Sequence, residues 1–186
     1  MATGANYPTT QDSWADKASD GSVSNSDINA RTMAIEQLEI RLDRFRKNSA
    51  RARISADQSI TNITATALAL DVEDFDTGGL HSNTTNNSRF TAVVAGKYYV
   101  CGGAEFTANA TGERRAYILK NGTTAYAEER HTNNGGSWVT TLNVSDIVDL
   151  AVGDYVEIFV YHSKGSALTT VAANLHTFGS IAYVGE

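Results

Sequence analysis

Several things that commonly announce a function are missing from this chain. It has a single cysteine, Cys101, so no internal disulfide framework is available to staple it. Cys101 sits in the apolar run YYVCGGAEF and reads as a small buried hydrophobe rather than a reactive thiol. No apolar run approaches the roughly 20 residues that a membrane span requires, which excludes membrane insertion by a helix. The first residues, MATGANYPTTQDSW, carry neither a basic nor an apolar leader region, so no signal peptide is expected. P-loop, dinucleotide-binding and G-x-S-x-G patterns are absent. The histidines, His81, His131, His162 and His176, stand far apart with no cysteine pair, so a zinc site has no support. These absences point away from an enzyme, and no cofactor is expected. A hydrophobic content of 41% and a mean hydropathy of −0.27 over 186 residues are those of a soluble protein with one core domain and an appendage.

What is present falls into two unlike parts. Residues 2–26 are polar, rich in Gly, Asn, Ser, Thr and Asp, and unable to build a core alone. Tyr7, Pro8 and Trp14 are isolated anchors within them, as suits an arm ordered by lying on another protein; an unordered tail with incidental aromatics is the alternative. Ser24-Asn25-Ser26-Asp27 forms a capping box that opens a helix. The stripe Ile35, Leu38, Leu42 and Phe45 then follows coiled-coil spacing over two heptads. So short a helix is marginal in water and needs a partner, either copies of itself, the favoured reading, or its own head.

Charge is unevenly placed. From Arg41 to Arg53 six bases face one acid, Asp43, whereas residues 54–186 carry seven bases against fourteen acids, a net −7. The basic stretch lacks interleaved aromatics beyond Phe45, so it suits a solvated or ion-paired hinge and not nucleic acid.

Beyond it, short β-prone runs alternate with turn clusters: Ala52–Ser55, Ala67–Val72, Arg89–Val94, Gly96–Thr107, Arg115–Lys120, Thr123–Glu129, Trp138–Val144, Tyr155–Tyr161 and Phe178–Val184. Asn121-Gly122 is the strongest short hairpin signal among them. Regular strands without crossover helices predict a mainly β, antiparallel jelly-roll sandwich.

Two chemistries remain on this frame. Asp71, Glu73, Asp74 and Asp76 cluster four carboxylates in a loop, a weak calcium candidate without EF-hand spacing, so no metal is assigned. Two amide-rich loops, one with Asn86 and Asn87 and one with Asn133, Asn134 and Trp138, are candidate ligand loops of a kind that binds sugars, and also what ordinary hairpin loops look like.

The segments AGKYYV, LAVGDYVEIFV and FGSIAYV, in this order and at these separations, resemble the tumour-necrosis-factor-like jelly roll shared with complement globular heads. The resemblance covers about residues 50–186 and implies a compact homotrimer without catalytic residues, its aromatic and aliphatic side chains packed along a three-fold axis. The N-terminal pattern is similar to the virion-attachment leader of tailed-phage structural proteins. Tyr7, Pro8, Asp12, Trp14, Ile28, Asn29, Ala34, Ile35 and Glu36 carry that match. Together the resemblances imply an extended attachment arm at 1–25, a short coiled-coil helix at 26–48, a basic hinge at 49–53 and a jelly-roll head at 54–186. The expected protein is a non-enzymatic trimeric spike on a virion surface, made in the bacterial cytoplasm and docked on capsid or tail proteins through its arm. Its knob would face outward, with a host surface glycan as candidate ligand. Capsid decoration or a head fibre is slightly favoured over a tail fibre or receptor-binding tip. The rival is a bacterial carbohydrate-binding or adhesion module.

Overall fold

The computed structural model describes residues 24–133, 135–172 and 176–186. The attachment anchors Tyr7, Pro8 and Trp14, and Asn134 of the second amide-rich loop, lie outside the described residues. The chain divides into two units, one ending at Leu42 and one running from Asp43 to Glu186.

Helix α1 spans Asn25–Lys47. It starts where the capping box places it: the Ser24 hydroxyl donates to the Asp27 carboxylate, and the Asp27 amide donates back to Ser24 Oγ at 3.3 Å. The orphan amide of Asp27 in the first turn is thereby answered, and the hydroxyl that accepts it is oriented by the Asp27 carboxylate. Its last turn belongs to the second unit. There Phe45 meets the Tyr183 ring edge-on at 5.4 Å, Arg44 pairs with Glu186, and Asn48 Nδ2 donates to the Arg44 carbonyl at 2.7 Å.

The head is built of twelve strands among the described residues. They are β1 (Ser49–Arg53), β2 (Gln58–Ile60), β3 (Thr66–Ala67), β4 (Val72–Asp76), β5 (Arg89–Thr91), β6 (Gly96–Phe106), β7 (Glu113–Lys120), β8 (Thr124–Thr132), β9 (Thr140–Leu150), β10 (Tyr155–His162), β11 (Leu168–Thr170) and β12 (Phe178–Gly185). One antiparallel sheet runs β2-β11-β6-β12-β1-β4 with β9 also on β6; the other runs β3-β10-β7-β8 with β5 on β10. The jelly-roll expectation holds.

Period-two alternation decides what each strand buries. Tyr98, Val100, Ala104 and Phe106 of β6 face inward together with Leu142, Val148 and Leu150 of β9 and Ile181 of β12. They meet Ala116, Ile118, Val156, Ile158 and Val160 of the second sheet. Gly102 lets the sheets close, since a Cβ there would lie 2.5 Å from Ile158 Cγ1. The Asn121-Gly122 hairpin forms as read, with φ of 51° and 70° at its two central residues.

Several expectations are corrected here. Residues 49–53 are not a hinge: they form β1, paired on one side with β12 and on the other with β4, and Ala50 and Ala52 are fully buried. The sequence SARAR alternates small inward residues with outward arginines, the pattern of a half-buried strand. The acidic segment is likewise no loop but the edge strand β4 against it, so the basic and acidic stretches neutralise each other. Arg51 and Arg53 both pair with Asp74. The run Ala67–Val72 is split, with β3 in one sheet and β4 in the other, and buried Leu68 and Leu70 bridging them. Trp138 precedes β9 instead of opening it, and Cys101 is half-buried on the outer face because its neighbours Val100 and Gly102 take the inner positions.

Candidate functional site

The four carboxylates read as weak calcium ligands are dispersed by their strand and by separate partners. Asp74 serves the two arginines of β1. Asp71 accepts the Ser55 amide at 2.7 Å and the Ser55 hydroxyl at 2.5 Å. Desolvation works to raise the Asp71 pKa, but these Ser55 hydrogen bonds prevail and hold it below the ordinary carboxylate value. Asp76 accepts the amides of Gly78, Gly79 and His81 at 2.8–2.9 Å, and Glu73 lies 3.1 Å from His81 Nδ1. Among the described residues no group of three or more such side chains is placed to hold a metal ion.

The two amide-rich loops are not brought together. The Asn133 side chain is consumed internally, its amide donating to the Asn109 carbonyl at 2.8 Å and to Thr140 Oγ1 at 3.0 Å. Trp138 is 76% exposed and its indole covers Gly136, where a Cβ would fall 2.3 Å from Nε1. This loop sits beyond the end of β6, near the last residue of β10, His162. Asn86 and Asn87 instead precede β5, which pairs with the first residues of β10. The two ends of an eight-residue strand are separated by roughly 20 Å.

Around Asn86 there is a surface pocket of about 350 Å³, between the 79–89 segment and the Gly153–Tyr155 turn. Its frame is polar and buried. His81 Nε2 donates to the Asn87 carbonyl at 3.1 Å, which fixes the loop. Glu157, 5% exposed, accepts the Ser88 hydroxyl at 2.6 Å and lies 3.5 Å from Arg89 Nε. The Arg89 guanidinium rests 4.0 Å over the centre of the Tyr155 ring. Below the pocket Asp154 pairs with Lys120 at 2.8 Å and accepts from Asn121 Nδ2 at 2.9 Å, which draws its pKa down to about 2. His81 and Arg89 carried no sequence motif and Tyr155 was read only as the start of a strand; the pairing of β5 with β10 makes them neighbours.

A second unforeseen feature is Arg114, fully buried beside Phe106. It donates to the carbonyls of Thr111 and Glu113 at 2.9 and 3.0 Å, tying down the 107–112 loop. Neighbouring His162 is also fully buried; its Nε2 donates to the Ile60 carbonyl at 2.9 Å, and Nδ1 accepts from the Lys164 amide. Desolvation, aided by the nearby Arg114 and Lys164 cations, pushes the His162 pKa down.

Among the described residues, large apolar side chains are exposed on α1 and on the outer face of the seven-stranded sheet. On α1, Ile35, Leu38, Leu42 and Phe45 are between 47% and 57% exposed. On the outer face of the seven-stranded sheet, Tyr99 of β6 stands directly between Ile147 of β9 and Ala182 of β12. Tyr99 is 44% and Ile147 55% exposed, with Val184 and Phe75 on the same sheet similarly open. Among the described residues no helix is long and apolar enough to cross a membrane.

The sequence matches no protein-family model and no curated protein. Solved structures do match in fold. The tumour-necrosis factor Eiger from S. frugiperda superposes with a TM-score of 0.55 at 8% identity, over 75% of this chain and 93% of that one. Murine APRIL gives 0.57 at 10% identity, over 73% and 98%. The globular domain of zebrafish complement 1qA gives 0.53 at 14% identity, over 75% and 100%. The head therefore has the jelly-roll fold shared by tumour-necrosis-factor-like and complement globular domains, as its strand motifs implied.

Proposed function

We propose that the chain is a non-enzymatic bacteriophage structural protein, a homotrimeric surface spike anchored by its N-terminal arm with the β head outward. The observation that carries the assembly is the outer face of the seven-stranded sheet. Tyr99, Ile147 and their neighbours form an apolar strip in the middle of the sheet, where solvent exposure is unfavourable and a second and third copy would cover it. The stripe on α1 asks for the same solution at the stalk. Neither surface contains a constellation for chemistry among the described residues, and the buried polar groups of the other sheet, Arg114, His162 and Glu157, are hydrogen-bonded to structural partners.

The virion role rests on the sequence pattern of Tyr7, Pro8, Asp12 and Trp14 followed by Ile28-Asn29 and Ala34-Ile35-Glu36. A helix of 23 residues is roughly 35 Å long, a short stem that suits a capsid decoration or head fibre better than a long tail fibre. Two measurements test this reading. Light scattering should give about three times 19.9 kDa, and a monodisperse monomer at micromolar concentration refutes the trimer. Tyr7→Ala with Trp14→Ala should leave the head folded and trimeric but absent from purified particles, because buried interface aromatics each contribute about 2 kcal/mol or more. Normal incorporation of that double variant removes the attachment role of the arm and returns the free carbohydrate-binding or adhesion module to first place.

A further inference from the structure

We propose that the pocket between the 79–89 segment and Tyr155 binds a sugar unit carrying a carboxylate, with Arg89 receiving the anion. The pocket volume of about 350 Å³ falls at the lower end of small-molecule sites, which suits one monosaccharide unit. Its polar groups are held ready by the buried frame beneath them. Glu157 occupies the Nε side of Arg89, and Tyr155 supports the guanidinium plane at 4.0 Å. Among the described residues nothing accepts a hydrogen bond from the two terminal nitrogens of Arg89, although this side chain lines the pocket. A fork fixed on one edge and open on the other is the geometry for a bidentate oxyanion.

The groups around that fork fit a polyhydroxylated body rather than a bare ion. Thr85 and Asn86 both line the pocket, and neither the Thr85 hydroxyl nor the Asn86 side-chain amide has a partner among the described residues. Each offers donor and acceptor capacity, which a sugar's vicinal hydroxyls can answer. Asn86 is held in the left-handed region at φ 51°, and the Arg89 amide donates to its carbonyl at 2.9 Å. The loop conformation is thus set before a ligand arrives. The head, residues 49–186, carries nine bases against fourteen acids, a net −5, so a cation left open in a concave site is against the general charge of its surroundings.

This inference rests on the outward recognition role proposed for the head, and not on its trimeric state. The test is saturation-transfer NMR and calorimetry on the full chain, with glucuronic acid and N-acetylneuraminic acid as probes against glucose and glucose 6-phosphate. Light scattering is run on the same samples. A sugar acid should bind at least tenfold more tightly than glucose, and raised salt should weaken it. Arg89→Gln should remove that preference. Because Arg89→Gln also takes a partner from buried Glu157, Asn86→Gly provides the second variant: it keeps the positive φ, removes the amide, and should weaken the sugar acid at least threefold with an unchanged circular dichroism spectrum. Equal binding of glucose and glucuronic acid, or indifference to both variants, overturns the proposal. So does tightest binding by glucose 6-phosphate, which makes the pocket a phosphate site, or no binding of any probe at tens of millimolar. A trimer that ignores sugar acids refutes the pocket alone, whereas a monomer that binds them refutes the spike alone.

Discussion

Replacing Tyr99 and Ile147 together by serine removes the centre of the apolar strip on the seven-stranded sheet. These positions are paired across β6 and β9, and both side chains point away from the core. The substitution therefore leaves the buried cluster intact. Tyr99 is 44% and Ile147 55% exposed in the single chain, so about half of each remains to be covered by assembly. Burying a large apolar side chain fully is favourable by ~1.5–3 kcal/mol, so half of two such residues contributes about 2 kcal/mol per protomer and about 6 kcal/mol per trimer. At 1.4 kcal/mol per decade this weakens the three-body association constant by roughly 10⁴-fold. The concentration of half-dissociation follows the square root of that constant, so it should rise roughly a hundredfold. Sedimentation velocity across a concentration series measures this midpoint, with far-UV circular dichroism as the check on folding. Val152→Ser is the control, because Val152 is also a well-exposed aliphatic residue but lies in the β9–β10 turn, off the strip. If the double variant dissociates no more readily than the control while remaining folded, the interface is elsewhere and the reading of this face is wrong.

Three further outcomes are expected. A chain starting at Asp43, which keeps β1 whole together with the Phe45–Tyr183 contact, should remain trimeric by light scattering, because a two-heptad helix buries too little to hold three chains; monomers would make the helix the assembling element. Gly102→Ala should lower stability by about 1–3 kcal/mol in urea denaturation, since the added Cβ would meet Ile158 at 2.5 Å in a closed core; an unchanged midpoint would mean the sheets part freely there. Burial depresses the His162 pKa below the usual 6.5, so the unfolded chain takes up its proton before the folded one as pH falls. Its contribution is therefore complete above about pH 6.5 and declines below it until the depressed folded value is reached, so the melting temperature of His162→Gln should fall less than that of the wild type between pH 7 and pH 5.

Local signals in this chain proved readable, and long-range ones did not. Ser24 and Asp27 cap the helix because a capping box involves only its own four residues. Asn121-Gly122 turns the β7–β8 hairpin for the same reason: the demand for positive φ is met within two residues. The motifs around Tyr98, Tyr155 and Ile181 announced strands of eight residues or more, and all three contribute to the core.

The basic stretch was different. Read by charge it is a hinge; read by alternation, SARAR is a strand with alanines inward. What decides between the two is β4, whose Asp74 lies beyond two other strands in the chain and neutralises both arginines. A charge run is a solvated surface only if no complementary run folds against it, and that condition is a property of topology. The pocket obeys the same logic more strictly. Ser88 and Glu157 are 69 residues apart, and neither they nor Arg89 and Tyr155 form a recognisable motif. Their proximity follows from the pairing of β5 with the start of β10, two short segments whose register puts Arg89 opposite Glu157 and Thr91 opposite Tyr155. On a jelly roll, where neighbouring strands are distant in sequence, binding residues are gathered by register. A site of this kind is found by first placing the strands and then asking which polar groups beside a concave surface remain unanswered, and at this pocket that question leads to the terminal nitrogens of Arg89 and the side chains of Thr85 and Asn86.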